Sequence, residues 1–390
     1  MLSGKSVIRQ LSEFATARGQ EIGYENVFDY SLGNPSVPVP REFTDRMIHM
    51  LATKEPLELH GYSPSLGITS VREAVAENLE QRFGLPYRKE HIFMASGAAG
   101  ALAHAFRLVT EPGDEILTFA PFFPEYHPYV DLTGAVLKVV PPDLETFQIN
   151  FEAFEEMLTE KVKAVLVNTP NNPSGVVYST PTLQRLAELL KEKSDKYGHI
   201  IYLISDEPYR EIVFEGVDHP CVSYFYDNTI MCYSFSKSLS LPGERIGYII
   251  VPDEMEDSKR VMAAVNGAGR ALGFVCAPVL FQRVAAMCAD VPSDIAAYAR
   301  NRDLLYNGLT ELGYECVRPQ GAFYLFVKSP EPDANAFSER AKKHDVLVVP
   351  SDSFGCPGYV RISYCVAEKT IVDSMPAFKA IMEEVKAEQK

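Results

Sequence analysis

The chain has 390 residues, of which 46% are hydrophobic and 23% are charged, a composition typical of globular proteins. This length predicts one large and one small domain, because a single hydrophobic core rarely grows so far. The net charge of −15 argues against a general nucleic-acid binder, since phosphate backbones attract basic surfaces.

The N-terminal segment is interrupted by Arg9, Glu13 and Arg18, so it predicts an amphipathic helix over residues 1–20 and not an apolar signal peptide. No apolar run in the chain approaches the roughly 18 residues that a membrane span requires. Seven cysteines occur without any C-x-x-C pair, which predicts reduced thiols and argues against a disulfide framework or a zinc site. Together these features predict a cytoplasmic protein without a bound metal and without a membrane partner.

The middle of the chain alternates short β-rich runs with helical patterns such as Thr182–Tyr197. The runs that predict strands are Ile92–Ala95, Glu115–Phe119, Val136–Val140, Ala164–Asn168, Ile200–Ser205, Ile230–Tyr233 and Ile246–Val251. Several are almost continuously apolar, which is typical of strands covered on both faces. This order predicts an α/β fold whose large domain has three layers around a mostly parallel, seven-stranded sheet.

After about residue 280 the pattern changes to longer helices and fewer strands. The predicted elements are a helical stretch at Val284–Leu312, a strand at Ala322–Val327, a helix at Ala334–His344 and strands at Val346–Val349 and Tyr359–Tyr364. These elements predict a smaller α+β domain, and the Pro-rich segment Asn34–Pro40 is typical of a crossing between domains. We therefore predict a large domain over residues 46–283 and a small domain over residues 1–45 and 284–390.

The small residues at 96–100, Ser-Gly-Ala-Ala-Gly, follow a predicted strand and begin a predicted helix over Ala99–Thr110. Small side chains let a phosphate approach the backbone N–H groups at the positive end of a helix. Close packing of a strand-to-helix turn would require the same composition, so the motif alone leaves both interpretations open. It is not the G-x-G-x-x-G motif of dinucleotide-binding proteins.

Two further motifs end predicted strands, at the edge of the sheet where α/β proteins bind ligands. The first, N-T-P-N-N-P-S-G at 168–175, contains Asn172, whose amide could donate to a phenolate or a carboxylate, although turn formation alone could explain it. In the second, S-D-E-P-Y at 205–209, a buried Asp206 would require a partner such as a protonated pyridine nitrogen. Tyr209 could hydrogen-bond an oxygen on the same ring, and a helix N-cap is the structural alternative for Asp206.

The segment SFSKSLSLPGERIGY at 234–248 combines the features that pyridoxal phosphate requires of a protein. Lys237 lies among serines, and small neighbours with little competing charge suit Schiff-base formation with an aldehyde. Arg245 follows eight residues later and, with hydroxyl and backbone donors, suits a phosphate. A Lys/Ser loop that leads into a glycine-bounded strand is the structural alternative.

Two isolated residues fit the same cofactor and its substrate. Phe123, which follows a predicted strand in Pro-Phe-Phe-Pro, could stack on a planar ring, although such aromatic residues often belong to the core. Arg361 lies in an apolar predicted strand and needs an anionic partner, either a substrate α-carboxylate or a structural salt bridge.

Taken together, these motifs resemble those of the fold-type I pyridoxal-phosphate enzymes, in particular the class I and II aminotransferases of the aspartate aminotransferase type. The elements N-x-P-x-N-P-x-G, S-D-E-x-Y, S-x-S-K with an arginine eight residues later, and R-I-S occur in order between Gly33 and Arg361. The resemblance implies an aspartate aminotransferase-like fold, pyridoxal 5'-phosphate as cofactor and a homodimer with shared active sites. It also implies transamination between an L-amino acid and a 2-oxo acid through an internal aldimine on Lys237, in amino acid metabolism and biosynthesis.

The resemblance implies a role for each of these residues. Lys237 would carry the cofactor and act as the base for the proton shift. Asp206 would pair with the pyridine nitrogen, and Tyr209 and Asn172 would hydrogen-bond the phenolate oxygen. Phe123 would lie on the ring face. The phosphate would be held by Gly97, Ala98, Ala99, Ser234, Ser236 and Arg245 of the same chain. Tyr62 of the neighbouring subunit would also reach the phosphate. The substrate α-carboxylate would be held by Arg361, Gly33 and Asn172.

Departures from the family pattern leave the substrate and the reaction open. A lysine that some bacterial aspartate aminotransferases carry at the turn of residues 97–99 is absent, which weakens aspartate as a substrate. Arg270 falls only roughly where other members place an arginine for a distal carboxylate, and a neutral or aromatic side chain would fit equally. A C–S lyase or an aminocyclopropanecarboxylate-synthase-like enzyme shares Lys237, Asp206 and Arg361 and is the alternative reaction. A non-catalytic regulator on this fold is disfavoured, because such proteins usually carry a fused DNA-binding domain and this chain is acidic.

Overall fold

The computed structural model describes residues 6–388 of the chain. The α-helices are α1 (Val7–Ile22), α2 (Arg41–Thr53), α3 (Pro56–His60), α4 (Thr69–Phe83), α5 (Gly97–Val109), α6 (Tyr126–Asp131), α7 (Phe151–Met157), α8 (Thr180–Tyr197), α9 (Phe235–Ser238), α10 (Ser258–Leu272), α11 (Val279–Met287), α12 (Ile295–Leu312), α13 (Ala334–Lys343) and α14 (Glu368–Glu388). The β-strands are β1 (Phe28–Asp29), β2 (Ile92–Ala95), β3 (Glu115–Phe119), β4 (Val136–Val140), β5 (Val162–Asn168), β6 (Tyr202–Asp206), β7 (Thr229–Ser234), β8 (Gly247–Ile250), β9 (Glu315–Cys316), β10 (Tyr324–Lys328), β11 (Val346–Leu347), β12 (Val349–Pro350) and β13 (Tyr359–Ser363). Helix α1 confirms the helix predicted near the N-terminus, although residues 1–5 of that prediction lie outside the described residues. Over the described range, no helix is long and apolar enough to cross a membrane.

The seven strands predicted in the middle of the chain form one sheet in the order β2-β8-β7-β6-β5-β3-β4. The strands from β7 to β4 are parallel, whereas β8 pairs antiparallel with both β7 and β2. This arrangement confirms the mostly parallel sheet. It also places the carboxyl ends of β5, β6 and β7 side by side.

Both faces of this sheet are covered by helices, as the continuously apolar strands require. In β5, Ala164 and Leu166 belong to the core shared with α5 and α10. The alternate residues Val165 and Val167 belong to the core shared with α7 and α8. Because successive side chains of a strand point to opposite faces, one buried strand serves two cores and the result is a three-layer α/β structure.

A second set of elements has its own hydrophobic core. Strands β12, β13, β10 and β9 form an antiparallel sheet, and β1 pairs in parallel with β11. Helices α12, α13 and α14 pack on this sheet, and Tyr30 from the N-terminal segment packs on Phe378. These elements confirm a smaller α+β unit. The boundaries at residues 46 and 284 stay a prediction, and α2 and α11 both pack against the core of the large sheet.

Two element predictions were wrong in detail. The helical stretch over Val284–Leu312 is two helices, because the chain between them contains Pro292 and a fresh N-cap, Asp294, whose carboxylate accepts from the N–H of Ala297 at 3.0 Å. The predicted strand Val346–Val349 is two short strands, since β11 pairs with β1 and β12 pairs with β13 in a different sheet. Neither change moves a candidate site residue.

Candidate active site

The carboxyl ends of three neighbouring strands and the start of one helix converge at one edge of the large sheet. Asn168 ends β5, Asp206 ends β6, Ser234 ends β7 and Gly97 begins α5. A cavity of about 280 Å³ opens between them. The residues predicted from sequence that line this cavity are Gly33, Ala98, Ala99, Phe123, Asn172, Asp206, Tyr209, Ser234, Ser236, Lys237, Arg245 and Arg361. The fold therefore brings together residues that are up to 328 positions apart in the chain, the interval from Gly33 to Arg361 (361 − 33).

Lys237 lies on the single turn of α9, directly after β7. Its Nζ donates a hydrogen bond to the carbonyl oxygen of Gly33 at 2.6 Å and lies 5.4 Å from the centre of the Phe323 ring. Burial, and to a smaller extent the cations Arg361 and Arg245, lower the pKa of Lys237 to about 8. An amine with a lowered pKa is neutral more often at physiological pH, which suits it to act as a nucleophile or a base.

The carboxylate of Asp206 is buried and only half satisfied. The hydroxyl of Tyr126 donates to its Oδ2 at 2.6 Å, whereas Oδ1 has no hydrogen-bond partner within residues 6–388. Burial raises the pKa of Asp206 to about 7, and the hydrogen bond from Tyr126 acts in the opposite direction. A buried carboxylate oxygen without a partner is costly, so a cationic N–H donor in the cavity would relieve it. Asp206 is not a helix N-cap, because residues 208–211 form turns.

Tyr209 and Tyr324 form a hydrogen-bonded pair beside Asp206 and Lys237. Their hydroxyl oxygens are 2.8 Å apart, and both residues line the cavity. Burial raises the pKa of Tyr209 well above its usual value, so this phenol stays protonated and can donate. A Cβ atom at Gly33 would clash with the Tyr324 hydroxyl, which explains why the chain needs glycine at that point.

Arg361 is fully buried on β13, the strand between β10 and β12. Its Nη1 donates to Oδ1 of Asn172 at 3.1 Å and its Nη2 donates to the carbonyl oxygen of Ser31 at 2.5 Å. Among the described residues no Asp or Glu pairs with Arg361, and its Nε has no hydrogen-bond partner. Within residues 6–388, Arg361 therefore does not form the structural salt bridge that the sequence left open as an alternative. A buried guanidinium without an acidic partner can bind a carboxylate ligand.

The opposite end of the cavity is suited to an anion. Helix α5 begins at Gly97 with φ 71°, and the Ser96 side chain makes no capping hydrogen bond to the first turn. A Cβ atom at Gly97 would lie 3.0 Å from Nη2 of Arg245, and a residue carrying it would have to adopt a left-handed φ, so glycine lets this arginine lie close to the helix start without strain. The hydroxyl oxygens of Ser234 and Ser236 lie 2.6 Å apart on the same side. Backbone N–H groups, two hydroxyls and a guanidinium are the donors that phosphate groups prefer.

Three residues considered from sequence, Gly97, Tyr62 and Arg270, do not line the cavity of this single chain, although Gly97 lies next to Ala98 and close to Arg245, which do. Tyr62 is 90% exposed and lies in a separate surface cleft with Glu58 and Arg283. Its role toward a neighbouring subunit stays a prediction. Arg270 is exposed on the last turn of α10 and does not line the cavity either.

The structure adds site residues that sequence reasoning missed. Tyr126 and Asn168 both hydrogen-bond Asp206, and Ile8 and Tyr129 line the cavity. Asn168 was visible as the first residue of a motif, and Tyr126 lies only three residues after Phe123. No local signal could have identified Ile8, because α1 reaches the cavity only through the tertiary fold.

Comparisons with known proteins agree with this geometry. The family model for class I and II aminotransferases matches residues 25–374. The chain is 30% identical to a probable aspartate/prephenate aminotransferase of Aquifex aeolicus over 95% of each chain. It is 29% identical to the aromatic-amino-acid aminotransferase 2 of Thermococcus litoralis over 98% of this chain and 96% of that relative. A crystal structure of an amino transferase from Eubacterium rectale is 50% identical, with a TM-score of 0.95 over 98% of this chain and 96% of the other.

The fold and the site define a transferase of nitrogenous groups built on an aspartate aminotransferase-like scaffold. The chain belongs to the class I and II aminotransferase family. It catalyses pyridoxal-phosphate-dependent transamination between an L-amino acid and a 2-oxo acid. The unpartnered Oδ1 of Asp206 and the glycine start of α5 fit the ring nitrogen and the phosphate of that cofactor.

Proposed function

We propose that the cavity at the strand ends is the active site and that Lys237 is its catalytic base. The observation that supports this most is that one cavity contains three complementary groups: a buried amine with a lowered pKa, an unpartnered carboxylate oxygen and a guanidinium without an acidic partner. Pyridoxal phosphate, when bound, supplies an aldehyde that joins amines and a cationic ring that stabilises negative charge at the substrate Cα.

In this proposal the α-carboxylate of the amino acid binds to Arg361, Asn172 and Gly33. The guanidinium of Arg361 is already held by Asn172 and Ser31, so little side-chain freedom is lost when a carboxylate binds. A bidentate interaction fixes the orientation of the amino acid as well as its position. The Cα–H bond is thereby kept in one direction relative to Lys237.

Lys237 Nζ would take the proton from the substrate Cα and would then donate it to the carbon atom that comes from the cofactor's aldehyde group. Burial keeps a fraction of this amine neutral, and the Gly33 carbonyl holds Nζ near the substrate side of the cavity. The surrounding aromatic rings of Tyr209 and Phe323 exclude water from the amine. Exclusion of water prevents loss of the proton to solvent.

The other predicted residues would hold the cofactor. Asp206 would pair with the ring nitrogen, Tyr209 and Asn172 would donate to the phenolate oxygen, and Phe123 would pack on the ring face. The phosphate would be held by Ala98, Ala99, Ser234, Ser236 and Arg245 of the cavity, by the neighbouring Gly97, and by Tyr62 of a second copy. An ion pair with Asp206 would favour the cationic form of the ring, which the chemistry at Cα requires.

The lowered pKa of Lys237 gives a pH prediction. Only the neutral amine attacks an aldehyde, so the rate at which the cofactor-free protein captures pyridoxal phosphate should rise with pH through a midpoint near pH 8 and level off about one pH unit above it. With such a pKa about one lysine in ten is neutral at pH 7, against about one in a few thousand for an ordinary lysine. Stopped-flow absorbance over pH 6–10 would measure this profile. A midpoint near pH 10 would contradict the burial of Lys237.

The requirement for a 2-oxo acid separates transamination from elimination. A transaminase should convert about one amino acid per active site and then stop until a 2-oxo acid is added, because the amino group remains on the cofactor. A lyase regenerates its cofactor in each cycle and should turn over continuously. Continuous release of product from an amino acid alone would therefore reject the proposed reaction.

We propose an amino acid with an uncharged, apolar or aromatic side chain as the donor. The cations that line the cavity within residues 6–388 are Lys237, Arg245 and Arg361, and each already has a role. Ile8 and Tyr129 also line the cavity, and neither side chain carries a positive charge. A screen of amino acids should give at least about 10-fold higher kcat/KM for an aromatic donor than for aspartate, as expected for one unmatched charge. A preference for aspartate would reject the proposed donor class. If that preference were then lost in Arg270→Ala, Arg270 would be the residue that binds the side-chain carboxylate of aspartate.

We propose that the active form is a cytoplasmic homodimer that serves amino acid metabolism, including biosynthesis. All seven cysteines are free thiols, as expected in a reducing compartment. Large apolar side chains of the α2–α3 region are exposed in the single chain, including Ile48, Leu51 and Leu57. An exposed apolar surface of this kind is typical of a subunit interface.

Tyr62→Phe tests whether the site is shared between subunits. If the hydroxyl reaches the partner's phosphate, the dissociation constant for pyridoxal phosphate should rise about 10-fold, since a hydrogen bond to a charged group is lost. Mixed dimers of one Tyr62→Phe chain and one Lys237→Ala chain should contain one site that binds pyridoxal phosphate tightly. That site combines Lys237 of the first chain with Tyr62 of the second and is therefore complete. Tyr24→Phe, which is also exposed, is the control. Unchanged affinity in Tyr62→Phe would remove the residue from the site.

A further inference from the structure

Asn168 is a buried residue of the site to which the proposed function gives no role. It ends β5 and lies directly opposite Asp206 of β6 in the sheet register. Both ends of its side-chain amide are used. Nδ2 donates to the backbone carbonyl oxygen of Asp206 at 2.9 Å, and Oδ1 accepts from the backbone N–H of Asn172 at 2.7 Å.

These contacts are part of a longer chain of hydrogen bonds. Oδ1 of Asn172 accepts from Nη1 of Arg361 at 3.1 Å, so Asp206, Asn168, Asn172 and Arg361 are linked without interruption. All four residues are at most 5% exposed. The link joins the backbone of Asp206, whose carboxylate would hold the cofactor nitrogen, to the guanidinium that would hold the substrate carboxylate.

We propose that Asn168 is a positioning residue that sets the distance between the cofactor-binding and substrate-binding ends of the site. The inference rests on the proposed function, because it uses the roles given there to Asp206 and Arg361. Asn168 is suited to this task because it joins two backbone groups of different segments, the Asp206 carbonyl at the end of β6 and the Asn172 N–H in the loop after β5. Displacement of a reacting group by about 1 Å can slow an enzyme about 100-fold, so such a link affects the rate.

Asn168→Ala removes both hydrogen bonds. We expect it to lower kcat/KM for the amino acid about 100-fold and to weaken pyridoxal phosphate binding to the cofactor-free protein about 10-fold. Part of the loss in kcat/KM should come from a higher KM for the amino acid. This increase in KM should largely disappear when Arg361 is already replaced by alanine, because the two residues act through the same chain of contacts. Full additivity of the two changes would show that Asn168 does not act through Arg361.

Asn168→Asp tests the two hydrogen bonds of the Asn168 side chain separately. Aspartate keeps an acceptor for the Asn172 N–H but loses the donor to the Asp206 carbonyl. Cofactor affinity should therefore fall as in Asn168→Ala, while KM for the amino acid should stay within about 3-fold of the wild type. The proposal is rejected if the two variants change both quantities in the same proportion.

Asn171→Ala is the matched control for a purely structural effect. Asn171 lies in the same loop and is equally buried. Its Oδ1 accepts from Ser174 and its Nδ2 donates to the backbone carbonyls of Pro121 and Asn168, so it touches the backbone of Asn168 but takes no part in the side-chain hydrogen bonds to Asp206 and Asn172. Both alanine variants should lower the melting temperature, and only Asn168→Ala should change cofactor affinity and KM. Equal effects of both variants on these binding constants would overturn the proposal. The dependence of the wild-type enzyme on a 2-oxo acid tests the proposed function separately, since it does not involve Asn168.

Discussion

Replacement of Lys237 by alanine should lower kcat by at least about 10⁴-fold, because general-base catalysis alone contributes about 10²- to 10⁴-fold and the amine is also the proposed point of cofactor attachment. Cofactor affinity should fall less, since Asp206, Arg245 and the start of α5 do not depend on the lysine. The measurement is steady-state transamination together with borohydride reduction of the protein–cofactor complex. In the wild type, borohydride should fix the cofactor covalently to the protein.

The exposed Lys191 provides a control, because Lys191→Ala removes a lysine from the surface of α8. This variant should keep both the wild-type rate and the covalent fixation. If Lys237→Ala still retained the cofactor covalently after reduction, another lysine would have to carry it and the assignment would be wrong.

Arg361→Ala should raise KM for the amino acid at least about 100-fold while the cofactor remains bound. Two hydrogen bonds from a buried guanidinium to a carboxylate contribute about 1.5–3 kcal/mol each, which corresponds to a loss of about 10²- to 10⁴-fold in kcat/KM. Arg361→Lys should recover only part of this loss, because an ammonium group keeps the charge but not the planar pair of donors. Amino-acid titrations of the holoenzyme, followed by absorbance, would measure the change.

The exposed Arg300 of α12 serves as the control, and Arg300→Ala should leave KM unchanged. Loss of cofactor from Arg361→Ala, with KM for the remaining holoenzyme unchanged, would contradict the position of the carboxylate site. The melting temperature decides whether such a loss reflects misfolding, since removing a buried arginine also leaves the Asn172 and Ser31 oxygens without their partner.

The amino-acid sequence by itself determined the architecture of the large sheet. Seven β-rich runs predicted its seven strands, because strands buried on both faces are almost continuously apolar and this signal is local; the edge strand β4, which is partly exposed, shows it least. The motifs with Asn172, Asp206 and Lys237 could also be assigned to strand ends, since each follows such a run directly. Ligand binding at the carboxyl ends of parallel strands then predicted that they share one site.

The remaining features depended on the tertiary structure. The sequence left Arg361 between a structural salt bridge and a ligand site, and only its surroundings, which contain Asn172, Ser31 and no acidic partner among the described residues, favour the ligand. The same holds for Asp206, whose free Oδ1 could not be known before Tyr126 was placed on Oδ2. Local patterns show which residues are buried, because burial follows periodicity. Which polar groups are left without a partner depends on contacts between distant segments, and those unsatisfied groups are the reason that we propose this cavity as the binding site.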